Sequence, residues 1–267
     1  MGVVNVTPDS FSDGGDWFDH RAAVAHGLEL AAQGADIVEV GGESTRPGAA
    51  RPPVAEELRR VLPVIAALAD SGACVSVDTM RSEVAVAAIA AGAQLVNDIS
   101  GGRADPELLT VVAEHGLPYI CMHWRGPARD MQSRATYTDV VAEVINELGE
   151  QIADAERAGI ASDRLIIDPG IGFAKTAEHN WELLRRLDEL DQLRRPMLVG
   201  VSRKAFLGSL LETDGEVRPA KLRDDATTAF SALLAQRGVW GVRVHAVRAS
   251  RDAVAVAQRL VVPPAER

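Results

Sequence analysis

The chain has 267 residues, 47% of them hydrophobic and 25% charged, which fits a folded globular protein and excludes a disordered or fibrous one. Lys and Arg number 28 against 38 Asp and Glu, a net charge of −10 that argues against a nucleic-acid-binding body or docking on anionic lipid but leaves room for a local pocket that takes a small anion. Two cysteines, Cys74 and Cys121, both inside apolar runs, exclude a disulfide scaffold and read as buried thiols of a reducing cytoplasm; no apolar run approaches the ~20 residues of a membrane span, and MGVVNVTPDS lacks the basic-then-apolar pattern of a leader.

Short β-branched runs alternate with longer amphipathic ones along the whole chain. Strands are predicted over 3–6, 36–40, 74–77, 94–97, 119–122, 165–167, 197–200 and 242–244. Helices follow them over 22–33, 54–69, 82–91, 106–114, 138–158, 179–190, 203–211 with 224–236, and 251–260. The 3.6-residue apolar period is plain in AVAHGLELAAQ and in VVAEVINELGEQI. Gly34, Gly72, Gly92, Gly116 and Gly159 fall where helices should stop.

Short apolar strands suit a parallel sheet buried on both faces. Eight β/α units in ~250 residues are the signature of a TIM barrel, a closed (β/α)8 fold of class α/β. The rival is an open doubly wound sheet, but its G-x-G-x-x-G after the first strand is absent. Nothing in composition divides the chain, so a single domain over 1–267 is expected.

In such a barrel the site forms where strands end and the βα loops begin. Asn5 ends the first strand, ahead of TPDSFSDGG. The second runs into Gly41-Gly42-Glu43-Ser44-Thr45-Arg46-Pro47. Asp78-Thr79, Asn97-Asp98, Met122-His123, Asp168-Pro169-Gly170, Ser202-Arg203-Lys204 and Arg243-Val244-His245 end the other six. The opposite strand ends hold no comparable set. Polar groups so placed lose hydration unless a ligand or neighbour satisfies them, so the asymmetry marks one mouth as the site.

Two sectors can be separated there. Arg243 and His245 share a face of the eighth strand, because side chains alternate with period two. With Asn5 next door they form a donor cluster for an anion, and the Asn5 carbonyl can help hold a hard cation. Asp78, Asn97 and Asp168, with Lys204 beside them, suit a flat heterocycle with amidine-like N–H groups, and Met122 and Phe173 can supply apolar walls. Each motif also has a plainer reading. Asp168-Pro169-Gly170 can be only a turn. Asp78-Thr79 and Asn97-Asp98 can cap helices. Lys204 can be a solvated helix start, although a cation there opposes the helix dipole. His123-Trp124 has no assigned role, and no His or Cys pair has zinc spacing.

MGVVNVTPDSFSDGG, GGESTRPGA, SVDT, NDISGG, MHWRG, DPGIGF, GVSRKAFLG and RVH, in this order over essentially the full chain, resemble the dihydropteroate synthase family, the folate-pathway enzymes that sulfonamides inhibit. The resemblance implies a TIM-barrel homodimer that condenses 7,8-dihydropterin-6-ylmethyl diphosphate with 4-aminobenzoate to give 7,8-dihydropteroate and diphosphate. By position it puts the pterin on Asp78, Asn97, Asp168 and Lys204, between Met122 and Phe173. It puts the diphosphate on Asn5, Arg243 and His245 with Mg²⁺. The aminobenzoate would lie among Phe11, Thr45, Arg46 and Pro47, with Ser202 and Lys204 beneath. Lys204, Asp168, Arg243 and His245 are the expected catalytic set. A pterin-binding methyltransferase module would share the Asp/Asn pocket but not the TPDSFSDGG and STRPG loops or the SRK motif. Two positions depart from the family pattern: Glu39 and Ala246 stand where Asp is usual.

Overall fold

The structure is a computed structural model that describes residues 1–7, 20–44, 48–127 and 129–261. Its strands are β1 (Gly2–Asn5), β2 (Val38–Gly41), β3 (Val75–Asp78), β4 (Leu95–Asp98), β5 (Tyr119–Met122), β6 (Leu165–Asp168), β7 (Leu198–Val199) and β8 (Gly241–Val242). β1 to β6 lie side by side in chain order, all parallel, and β7 pairs with β8. Single bridging pairs, Ile167 with Met197 and Gly2 with Val244, join the two groups at both seams. The ring is therefore closed, as the TIM-barrel reading requires.

Helices α1 (His20–Ala32), α2 (Val54–Asp70), α3 (Ser82–Ala90), α4 (Glu107–His115), α5 (Val140–Arg157), α6 (Ala177–Arg185), α7 (Ala205–Leu210), α8 (Asp224–Gln236) and α9 (Val247–Val261) surround it. Period-two alternation divides the apolar residues of each strand. Val4, Val40, Val75, Val77, Val96, Tyr119, Cys121, Leu165 and Ile167 point outward into the main core against the helices. Leu95, Ile120, Ile166 and Leu198 point inward and, with Met1 and Ile37, plug the N-terminal half of the barrel. Each such fully buried aliphatic side chain contributes roughly 1.5–3 kcal/mol. Apart from Glu39 and Ser76, which share a lateral row with Leu95, the inward-facing polar side chains lie in the C-terminal half.

Several helix boundaries shift by a residue or two from expectation, and three differences are instructive. The predicted 179–190 helix is α6 followed by a 3-10 stretch, Leu187–Leu193. Leu187 and Leu190 sit three apart and both are buried, a spacing that a three-residue turn eclipses. α7 starts at Ala205 and not at 203, because Arg203 takes φ +60°. The last helix starts at Val247, four residues ahead of 251. Among the described residues no helix is long and apolar enough to cross a membrane.

Candidate active site

Lateral register brings Asn5, Gly41, Asp78 and Asn97 into one row across β1 to β4. Met122 and Asp168 are partners across β5 and β6. All point into the C-terminal half of the barrel, above the apolar plug. Asp78, Asn97, Asp168 and Met122 are buried.

Arg243 joins the two expected sectors through Glu39. Glu39, fully buried, accepts from Asn97 Nδ2 at 2.6 Å with one carboxylate oxygen and from Arg243 Nε at 2.6 Å with the other. Arg243 Nη2 also contacts Glu39 and reaches Asp78 Oδ2 at 3.4 Å. A Cβ on Gly41 would crowd the Asp78 Cβ at 3.3 Å, whereas one on Gly200 would make only ordinary contact with the Arg243 Cβ at 3.6 Å. Glu39 thus acts on both subsites at once. With one Asn97 N–H committed to it, the amide oxygen and the second N–H are left for a ligand. Burial and the neighbouring Glu39 push the Asp78 pKa well above the usual carboxylate range, against the pull of Arg243. Burial works against the Arg243 charge, but Glu39 and Asp78 together hold the guanidinium above its ordinary range.

Asp168 accepts from the Gly170 N–H at 2.7 Å, so it shapes its own turn and leaves the other carboxylate oxygen open. Burial raises its pKa and Lys204 opposes the rise. That turn needs glycine: Gly170 has φ +66° and Gly172 φ +84°, and a Cβ on Gly170 would lie 2.5 Å from the His123 carbonyl oxygen. Lys204 Nζ donates to the Ile171 carbonyl and lies 4.9 Å over the Phe173 ring. Burial brings its pKa down to about 8, with Asp168 opposing. Although Lys204 is the N-cap residue of α7, its charge is turned into the site and away from the helix. Met122 packs with Met80 and Ile99, and Phe173 closes over them. Met80 and Ile99 were not singled out in the sequence, yet each lies two residues beyond a strand-end acceptor, so the period-two rule reaches them.

At the other side of the mouth, Ser202 Oγ and His245 Nδ1 are 2.8 Å apart, and the His245 backbone N–H donates to the same Oγ at 3.2 Å. Burial, then the charges of Arg203 and Arg243, lower the His245 pKa to about 3, so the imidazole is neutral. A serine hydroxyl that donates to Nδ1 leaves the proton on Nε2, a donor for an anion. Arg203 is spent on Asp224, with two bonds of 2.7 Å. Asp98, next to Asn97, points out of the barrel and holds the loop after β4: Ser100 N, Ser100 Oγ and Gly102 N at 2.7 Å and Tyr119 Oη at 2.8 Å all donate to it. Phe11, Thr45, Arg46 and Pro47 lie outside the described residues. At the base of their second loop, Glu43 and Arg51 pair at 2.9 Å.

Among the described residues no three His, Cys, Asp or Glu side chains are placed to hold a metal ion. Asn5 is half-buried at the end of β1, beside the gap that Gly41 leaves. A cavity of about 700 Å³ opens elsewhere, between Met197, Arg237 and Trp240 at the N-terminal end of the strands, and includes none of the polar strand-end residues.

Residues 1–245 match the family described as pterin binding enzyme. The dihydropteroate synthase of Mycobacterium leprae is 53% identical over 258 residues, 96% of this chain and 91% of that protein. Among solved structures, Xanthomonas albilineans dihydropteroate synthase with 4-aminobenzoic acid superposes with a TM-score of 0.91 at 48% identity, covering 99% of this chain and 93% of the other. The same organism's enzyme in complex with 7,8-dihydropteroate gives 0.87 at 45%, covering 99% and 94%. Extended over the whole barrel and all its strand ends, this likeness shows that the chain belongs to the dihydropteroate synthase family of pterin binding enzymes.

Proposed function

We infer that the protein transfers a pterinylmethyl group: it joins 7,8-dihydropterin-6-ylmethyl diphosphate to 4-aminobenzoate, giving 7,8-dihydropteroate and diphosphate. The observation that carries this is the single cluster Asn97–Glu39–Arg243–Asp78, which ties an amide and a carboxylate suited to heterocycle N–H groups to a guanidinium suited to phosphate oxygens. In the reaction the C–O bond to diphosphate breaks, its electron pair leaving with oxygen, and a C–N bond to the arylamine forms. The amine is neutral near pH 7 and gives up a proton only after it has bonded, so no strong base is needed. What is needed is stabilisation of the leaving anion and of the cation left on the methylene, delocalised into the ring.

Arg243 and the Nε2–H of neutral His245 face the leaving anion. The carboxylates of Asp168 and Asp78 lie beside the ring. Lys204, above Phe173, borders both subsites. Phe11, Thr45, Arg46 and Pro47 would enclose the aminobenzoate above Ser202 and Lys204 and exclude the water that would otherwise capture the cation. Mg²⁺ fits this donor set as an ion held mainly by diphosphate oxygens, with the Asn5 carbonyl as one protein ligand, which is how Mg²⁺ is commonly bound. When bound there it would neutralise charge on the leaving group.

A homodimer fits the exposed Leu210, Val217, Leu222 and Leu233 on α7, α8 and the segment between them. Sulfonamides, as aminobenzoate mimics, would compete at the Ser202–Lys204 floor. The reaction belongs in the cytoplasm, where Cys74 and Cys121, both free, would remain thiols. Diphosphate release measured with and without 4-aminobenzoate tests the reading. Release that requires both substrates is expected, and release indifferent to the arylamine would reject it.

A further inference from the structure

The MHWRG motif supplies a buried chain of charge that the reaction as derived leaves unused. Lys175, 3% exposed, sits behind the 168–173 turn. Its Nζ donates to His123 Nδ1 at 2.9 Å, to the Gly170 carbonyl at 3.1 Å and to the Phe173 carbonyl at 3.2 Å. An ammonium has three N–H donors and no acceptor, so these three partners use all of it. His123 Nδ1 must then accept, and Nε2 carries the proton that it donates to Glu147 at 2.9 Å. Burial, then the Lys175 charge, lowers the His123 pKa to about 3, so the ring is neutral. Arg125 grips Glu147 and Glu143 and stacks 3.8 Å over the Tyr137 ring, which fixes the outer end of the chain. The order is Glu147 carboxylate, His123 imidazole, Lys175 ammonium, then two backbone carbonyls.

Those carbonyls belong to the turn that carries Asp168 and Phe173. The turn is held in a conformation that ordinary residues avoid: besides Gly170 and Gly172, Ala174 has φ +46° and is buried. Such a backbone persists only where its surroundings impose it. Two lysines share the work. Lys204 takes the Ile171 carbonyl from the lumen side and borders the ligand space. Lys175 takes Gly170 and Phe173 from behind and has no access to that space. Its pKa falls to about 7 through burial and the charge of Lys204, with Asp168 opposing, and Arg125 and Glu147 are the other charged groups that act on it.

We propose that Lys175, seated on His123 and Glu147, is the positioning residue of the pterin pocket: it sets the 168–173 turn so that the Asp168 carboxylate and the Phe173 ring face the heterocycle together. This rests on the reading of Asp168 and Phe173 as pterin contacts. It makes no contact with substrate and leaves the anion cradle of Arg243 and His245, just beyond β8, untouched.

The test compares two probes by calorimetry and inhibition, pterin diphosphate and inorganic diphosphate, on the full chain. Lys175→Met keeps the length of the side chain and removes the charge. It is expected to weaken pterin diphosphate binding by about ten-fold, the loss of one charged hydrogen-bonding group. Inhibition by inorganic diphosphate should change by less than about two-fold, since that site shares no partner with Lys175. Glu147→Gln, at the half-buried outer end, should weaken pterin binding in the same sense by about three-fold, and it decides the matter if Lys175→Met does not fold. Equal loss for both probes would mean a general packing role and overturn the proposal, as would unchanged pterin affinity. Asp168→Asn is the control on the underlying reading. If it leaves pterin affinity unchanged, the pocket assignment fails; if it weakens pterin binding while Lys175→Met does not, only the positioning role fails.

Discussion

Lys204 shows how far one side chain's role depends on what surrounds it. In the sequence it follows Ser202-Arg203 and can be a solvated helix start. In the structure it caps nothing with its side chain, lies over Phe173 and donates to Ile171. Replacing it with alanine removes a buried cation that borders both subsites, and turnover should fall by at least ~10²-fold; near-normal kinetics would contradict this placement. The same burial makes the reaction sensitive to alkali. Lys175 and Lys204, at about 7 and about 8, lose protons in that order as pH rises, and each lost proton removes a donor from the 168–173 turn or the site. kcat/KM for pterin diphosphate should therefore decline between pH 7 and 8, and a profile flat up to an ordinary lysine pKa of about 10.4 would count against both assignments. Glu39 is the residue whose weight the sequence understated. It stands out there only as a departure from Asp, whereas its two oxygens hold residues 97 and 243, one in each subsite.

Loops after strands are the elements that carry the chemistry, and each is held by a buried polar residue that does not face the ligand. Asp98 is the clearest example. Four donors converge on it, so Asp98→Ala would leave the Tyr119 hydroxyl and two backbone N–H groups without partners. This should cost about 3 kcal/mol or more, against about 1 kcal/mol for Tyr119→Phe, which removes one partner only. Thermal unfolding of the two variants checks the ratio; equal shifts would show that Asp98 does not organise the loop. Gln151 does similar work from α5, donating to the Ser100 and Met122 carbonyls at 3.0 Å each. The plainer readings divide. Asp168 does bond its own Gly170 in a turn, while also facing the lumen, whereas Asp98 caps no helix: it fastens the loop after β4, and α4 begins after Pro106 without a side-chain cap.

At the scale of the whole molecule, the apolar plug of Leu95, Ile120, Ile166 and Leu198 separates a sealed end from an open polar mouth. Exposed apolar side chains also gather on one flank, at Leu210, Leu222 and Leu233. Sedimentation should find two chains per particle, and Leu233→Asp should shift the population toward single chains by placing a charge in the covered face; a wild-type protein that sediments as a single chain would remove the dimer.

By itself the sequence determined the class of fold and most of the mouth. Alternation of short apolar and amphipathic runs is a local property, and so is the period-two placement of Asp78, Asn97, Asp168, Arg243 and His245 at strand ends. What only the tertiary structure decided were contacts across the ring. Arg243 meets Glu39 across 204 positions and Asp78 across 165, and Lys175 meets His123 across 52. Such pairs depend on how the strands stagger when the barrel closes, which no local pattern encodes. Burial then sets the charge states, because the same lysine or histidine has one pKa in water and another where its solvent is replaced by protein.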